Sequence, residues 1–317
     1  MNISQQELSK PQLMRAATYA SVSVAVILIV VKFYAWLATD SVSLLSTLVD
    51  SVLDAGASLV NLIAIHFALQ PADSEHRFGH GKAEPLAGLM QSGFIFASAL
   101  FLIIETGNRF LNPSAVENSE MGIIVMVISI GLTVALVLFQ KYVVRKTKSV
   151  AVSADSLHYT TDILVNVGVI VALVVAAYTD WLWFDPLVAG VIAIYILYSV
   201  REIAVEAMDL LMDREFEEEE RANIMKIVLE HPGVLGGHDL RTRSSGPQSF
   251  IQLHLVLDGN LTLRDSHAIA DEVEFKLGEA YPDAEILIHQ DPHDVVENPP
   301  NFAKYVKVKK RTNRRSK

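Results

Sequence analysis

Along the first two thirds of the chain the apolar residues form long continuous blocks, not the three- and four-residue spacing of a half-buried helix. Six blocks stand out, at 16–38, 44–69, 86–110, 121–144, 154–178 and 186–211. A bilayer core about 30 Å thick needs roughly 20 apolar residues in a helix, so each block predicts a membrane span. The first block exceeds the roughly 7–15 apolar residues of a signal peptide and is read as a retained helix. After residue 212 the pattern changes. Phe216–His231 has helical spacing and an acidic first turn, which the positive end of a helix dipole favours. Asp239–Arg243 and Phe250–Leu257 read as strands joined by the turn Ser244-Ser245-Gly246-Pro247. Leu263–Ala280 predicts a second helix and Glu285–Asp291 a last strand.

The expected fold is a polytopic α-helical membrane domain of six transmembrane helices over 1–212, then a small cytoplasmic α/β domain of order αββαβ over 213–295. That order suits one sheet with its helices on one face. With fewer than about 90 residues and no cysteine, its thin core is expected to need dimerisation or metal for support. Residues 296–317 read as a basic disordered tail, solubilising or touching lipid headgroups.

Composition sharpens this picture. The 317 residues are 51% hydrophobic and 20% charged, and a mean hydropathy of +0.33 argues against a soluble protein. The absence of cysteine excludes a disulfide scaffold, a thiolate zinc finger and an iron–sulfur centre. Any metal site must use His, Asp, Glu or backbone oxygen, which disfavours soft ions. A net charge of −10 argues against nucleic acid as a partner. Residues 213–297 hold seven Lys and Arg against nineteen Asp and Glu, a net of −12, while 298–317 hold eight basic residues and no acidic one.

Loop charge predicts the orientation. Lys10 and Arg15, Arg77 and Lys82, and Lys141, Arg145, Lys146 and Lys148 lie on one side of the six spans. The other side has only Arg109, with Asp40, Glu117, Glu120, Asp180 and Asp185. Both termini and the acidic domain are therefore expected in the cytoplasm.

The informative residues are polar ones inside the apolar blocks. Asp50 and Asp54 lie four apart in span two, on one helical face, and His158 and Asp162 repeat that spacing in span five, with Asn166 a turn further. A mid-bilayer carboxylate costs about 3 kcal/mol or more on insertion scales. Lys32 cannot neutralise three of them. Isolated acids of this kind are usually interhelical polar contacts. Two pairs at matched spacing instead supply four hard or borderline ligands, the number a tetrahedral Zn²⁺ takes. Metal and protons would compete there for the same lone pairs, and an imidazole in water titrates near about 6.5. His66 and Glu105 have no such partner and are assigned to packing or interface roles.

Ser46–Asp54 with its Ser-x-x-x-Asp-Ser-x-x-Asp pattern, His76-Arg77-Phe78-Gly79-His80-Gly81-Lys82-Ala83-Glu84, the His158/Asp162 pair and His289-Gln290-Asp291-Pro292 together resemble the cation diffusion facilitator family. The likeness runs to about residue 295 and is nearest to the bacterial branch that exports ferrous iron and zinc. It implies a homodimer in the bacterial inner membrane that exchanges cytoplasmic divalent metal for protons, a transporter and not an enzyme. It implies a transport site at Asp50, Asp54, His158 and Asp162, a set that goes with Zn²⁺ and Cd²⁺, with Fe²⁺ a further cargo. A second site is implied at Asp73, His76 and His80, whose Asp-x-x-His-x-x-x-His spacing can bring three ligands to one ion. The resemblance also implies a binuclear cytoplasmic site at His238, His254, His267, His289 and Asp291, and an ion pair between Lys82 and Asp213.

The residues bear on that last site independently. His289 and Asp291 are two apart on a strand and share a face. His254 falls on the Gln252/Val256 face, opposite Ile251, Leu253, Leu255 and Leu257. Asp265 and Asp271 read as solvated, and His231 as a helix cap. Two other readings stay open at this level. A membrane-anchored metal sensor would have no need of buried acids in spans two and five. A passive channel would carry flux indifferent to a proton gradient. Among cargoes, Fe²⁺, Cd²⁺ and Mn²⁺ compete with Zn²⁺, whereas Mg²⁺ and Ca²⁺ prefer all-oxygen sites.

Overall fold

The computed structural model describes residues 9–40, 42–111, 120–179, 181 and 183–295; the basic tail, Glu117 and Asp180 lie outside the described residues, as do the side chains of Ser46, Arg109, Glu120 and Asp185. Six long helices come first: α1 Lys10–Thr39, α2 Val42–Ala68, α3 Ala83–Leu111, α4 Glu120–Thr147, α5 Val150–Tyr178 and α6 Phe184–Leu211. Then follow α7 Glu218–Leu229, β1 Gly236–Ser245, β2 Gln248–Leu257, α8 Leu263–Ala280 and β3 Ala284–Pro292. The chain divides into two compact units at Leu211/Met212.

Each of the first six helices begins before its apolar block, and all but α2, which stops at Ala68, reach or pass its end. Helix α1 begins six residues earlier than the apolar pattern predicts because polar residues start it: Ser9 and Gln12 form a capping box and Pro11 occupies the first turn. Five of the six, all but α5, are long and apolar enough to cross a membrane by length and composition, and α5 matches them with 29 residues. Their outward faces carry exposed apolar side chains such as Phe101, Ile104, Leu138 and Ile194, the arrangement a lipid solvent permits and water does not. Inside, Leu13, Met14 and Ala17 of α1, Ile65 of α2, Ala87 of α3, Val143 of α4 and Ala151 and Val152 of α5 form one buried apolar cluster. It lies at the end of the bundle at which α1 begins.

The second unit is a three-stranded sheet of order β1-β2-β3, with β1 antiparallel and β3 parallel to the central β2. Ile251, Leu253, Leu255 and Leu257 of β2 pack on one face against Ile224, Met225 and Val228 of α7 and Ala270, Val273 and Leu277 of α8, as the alternation predicts. Helix α7 is shorter at both ends than expected. Ahead of it Phe216 N–H donates to Thr242 Oγ1 and Glu215 accepts from Thr242, tying this segment to β1. Behind it Pro232 prevents continuation. Strand β1 is longer than expected and breaks register between His238 and Arg241, where Asp239 takes a positive φ of 48° in a bulge.

Leu255 is fully buried in the central strand. Leu255→Ala is expected to cost about 2–5 kcal/mol, lowering the melting transition of this unit by about 10 °C or more. Calorimetry of the full-length protein in detergent reads this directly; an unmoved transition would mean that this strand does not limit the unit's stability.

Candidate metal centres

Among the described residues, three clusters of His and Asp each place one ligand atom per residue within 4.8 Å of all the others. The first lies on the seam between α2 and α5. His158 Nε2 is 3.0 Å from Asp54 Oδ1, and Asp162, one turn along α5, completes the group. Asp50, one turn from Asp54 on α2, stands outside it. The seam is fixed by further polar links between the same helices: Ser58 with the Tyr159 hydroxyl at 2.9 Å and Asn61 Nδ2 donating to the Ala151 carbonyl at 3.3 Å.

Sequence reasoning missed Asp155, which is 1% exposed. Its Oδ2 accepts from Ser21 at 2.6 Å and Gln140 at 2.7 Å, joining α1 and α4 to α5. The signal was present, because 155, 158 and 162 share one helical face. Glu84, 2% exposed at the start of α3, ends the 76–84 motif but gets no role from the sequence. Its carboxylate accepts from the Ser149 hydroxyl and from backbone N–H groups of Val150 and Ala151 at the start of α5, where an anion complements the helix dipole.

The second cluster is the 2–3 loop. Asp73 Oδ1 accepts from the backbone N–H groups of His76 at 2.6 Å and Glu75 at 2.9 Å. These two donors hold its carboxyl below the usual carboxylate range, so it stays an anion where an ordinary aspartate begins to protonate. Its other oxygen lies 3.4 Å from His80 Nε2, and the His76 and His80 rings are 4.5 Å apart. Gly79, at φ 75°, makes the reversal that brings them together. The second ring nitrogen of His80 is buried with no hydrogen-bond partner. Beside this loop Lys82 Nζ donates to the Leu211 carbonyl at 3.4 Å. In the second unit, Asp213 pairs with Arg243 at 3.4 Å.

The third cluster, His238, His254 and Asp291, is built by strand register, with His289 beside it. His238, His254 and His289 are cross-strand partners in one row over β1, β2 and β3, with ring separations of 5.0 Å and 4.6 Å. Beneath them sits Asp291, 5% exposed. Its Oδ2 is 2.7 Å from His254 Nδ1 and 3.3 Å from His238 Nε2, while Oδ1 is 3.1 Å from His289 Nε2. One buried carboxylate facing three imidazoles is a donor set that fits a borderline divalent ion such as Zn²⁺, and two oxygens engaged by different histidines could bridge two ions. His267 stands apart in this chain, exposed on α8 beside Asp271 at 3.4 Å. Asp239 comes within 3.7 Å of His254, a neighbour visible only once the bulge is seen. His231 accepts from Gly233 N–H through Nδ1 and so presents Nε2–H to Glu272 at 2.9 Å; it ties the end of α7 to α8. His293 Nδ1 accepts from the Gly259 N–H at 3.2 Å.

Residues 18–212 match the cation efflux transmembrane domain and residues 216–293 the cytoplasmic domain of cation efflux proteins. The cation-efflux pump FieF of Shewanella oneidensis is 49% identical over 281 residues, 89% of this chain and 95% of its own. That of Klebsiella pneumoniae is 47% identical over 285 residues, 90% of this chain and 95% of its own. Among solved structures, the metal-bound C-terminal domain of the CzcD transporter from Thermotoga maritima is 24% identical, covering 26% of this chain and 100% of its own, with a TM-score of 0.24. The chain belongs to the cation efflux (cation diffusion facilitator) family of membrane transport proteins, with both the transmembrane and the cytoplasmic domain of that family.

Proposed function

We propose that this protein is a homodimeric Zn²⁺/H⁺ antiporter of the bacterial inner membrane, with both termini and the α/β unit in the cytoplasm. The observation that carries the reading is the convergence of Asp54, His158 and Asp162 on the α2–α5 seam, with Asp50 one turn away as the fourth ligand. Zn²⁺ bonds to nitrogen and oxygen are about 2.0–2.2 Å long. Small side-chain rotations bring ligand atoms 4.8 Å apart or closer onto one ion of that size. Carboxylate and imidazole release metal when they take up protons, so one site serves both partners of the exchange.

Alternating access requires that the site open to each side in turn. Metal entering from the cytoplasm would have to part the apolar cluster around Met14, Ile65 and Val143 and the Ser21–Gln140–Asp155 polar group behind it. Zn²⁺ at the cytoplasmic site would neutralise part of that domain's −12 and let two copies approach. It can bias transport only by binding one conformation better than the other. The His158 nitrogen supports Zn²⁺ or Cd²⁺ over Mn²⁺ as cargo, with Fe²⁺ between them.

The test is Zn²⁺ uptake into proteoliposomes with and without an imposed pH gradient. Uptake is expected to accelerate several-fold when the lumen is acidic. Uptake indifferent to the gradient would sink antiport and favour a channel; binding without uptake would favour a sensor.

A further inference from the structure

Lys32 carries a charge inside the membrane unit that the four-residue site does not use. It lies seven residues before the end of α1, about 10 Å inside the helix at 1.5 Å per residue. A lysine so placed could extend its flexible stem toward the headgroups. It does not. Its ammonium turns into the α1–α2 interface and donates to Ser51 Oγ at 2.7 Å and to the Thr47 carbonyl at 3.1 Å. Ser51 follows Asp50 by one residue and precedes Asp54 by three.

We propose that Lys32 is the fixed countercharge of the transport site, a positioning residue that matches it to a divalent ion. The inference rests on the transport-site reading above. Three carboxylates carry −3, and one ammonium brings the set to −2. A divalent ion then makes the occupied site neutral. The loaded state that must cross between the two access conformations is thus free of net charge, which a low-dielectric surround favours. Without Lys32 the loaded site is −1, and the metal is held by one uncompensated carboxylate more. At an effective dielectric near 20, one unit charge several ångströms from a divalent ion changes binding by at least an order of magnitude.

The experiment is Zn²⁺ transport by full-length Lys32→Gln, Lys32→Arg and Asp162→Ala in proteoliposomes, with KM and maximal rate measured separately. Lys32→Gln is expected to lower KM about tenfold and the maximal rate about tenfold, because release slows. Lys32→Arg, keeping the charge, should recover most of the rate. If Lys32→Gln does not give a monodisperse protein, Lys32→Met, which keeps the stem without the charge, takes its place with the same expected shifts in KM and rate. Two results overturn the proposal: KM and rate unchanged in the uncharged variant, or a loss of rate that Lys32→Arg does not mend. Should Asp162→Ala transport like the intact protein, the site reading fails first; if it is dead while Lys32→Gln is normal, only the countercharge fails.

Discussion

Asp162→Ala should abolish Zn²⁺ flux in proteoliposomes, a loss of at least about 100-fold. Removing even an outer-shell partner of a metal typically lowers affinity or activity 10–100-fold, and Asp162 is one of the three described residues whose ligand atoms meet on the α2–α5 seam. Alanine also leaves His158 and Asp54, 3.0 Å apart, with Asp50 a turn away, three ligands at most and one short of a tetrahedral ion. Asp162→Asn keeps the shape and one oxygen but removes the charge, and should leave a small residual flux. His158→Asp probes cargo: an all-oxygen set should lose selectivity for Zn²⁺ over Mn²⁺. Full flux from Asp162→Ala would show that metal crosses elsewhere and would remove the seam from the mechanism.

How far the sequence carries depends on the element. The six spans were legible because a bilayer imposes a length and an apolar composition on every helix, a signal that does not depend on neighbours. Their true ends were not, because Ser9, Gln12 and Pro11 start α1 through local hydrogen bonds and backbone angles while hydropathy is silent there. The matched Asp50/Asp54 and His158/Asp162 spacing pointed to the seam, yet a pairing rule cannot say which three of the four meet in a given conformation. Asp155 and Glu84 escaped for a related reason. Each is satisfied by groups far away in sequence, Asp155 by Ser21 and Glu84 by the start of α5, and such partners are invisible until helices pack. In the α/β unit the alternation along β2 identified core and ligand faces. The cross-strand row His238–His254–His289 needed the register itself, since a slip of one residue would turn every histidine to the opposite face.

Asp291→Ala should remove metal from the cytoplasmic unit while leaving the intramembrane site intact. Asp291 is the residue that His238, His254 and His289 all face, within 3.3 Å in each case, so its loss takes away the common carboxylate and leaves three imidazoles in a row. A ligand present at 100 times its Kd stabilises a folded unit by about 2.7 kcal/mol. That Zn²⁺-dependent rise in the melting transition of the α/β unit is expected in the intact protein and absent in Asp291→Ala, with bound zinc per chain, measured by elemental analysis in detergent, falling in parallel. His267→Ala, whose side chain lies beside Asp271 on the exposed face of α8, is expected to spare the ion held by His238, His254 and Asp291. Asp291→Asn separates charge from shape. If the asparagine variant keeps the zinc-induced stabilisation, the histidine row alone binds the metal and the buried carboxylate serves only to orient the rings; if it loses the stabilisation as the alanine variant does, the anion is a ligand.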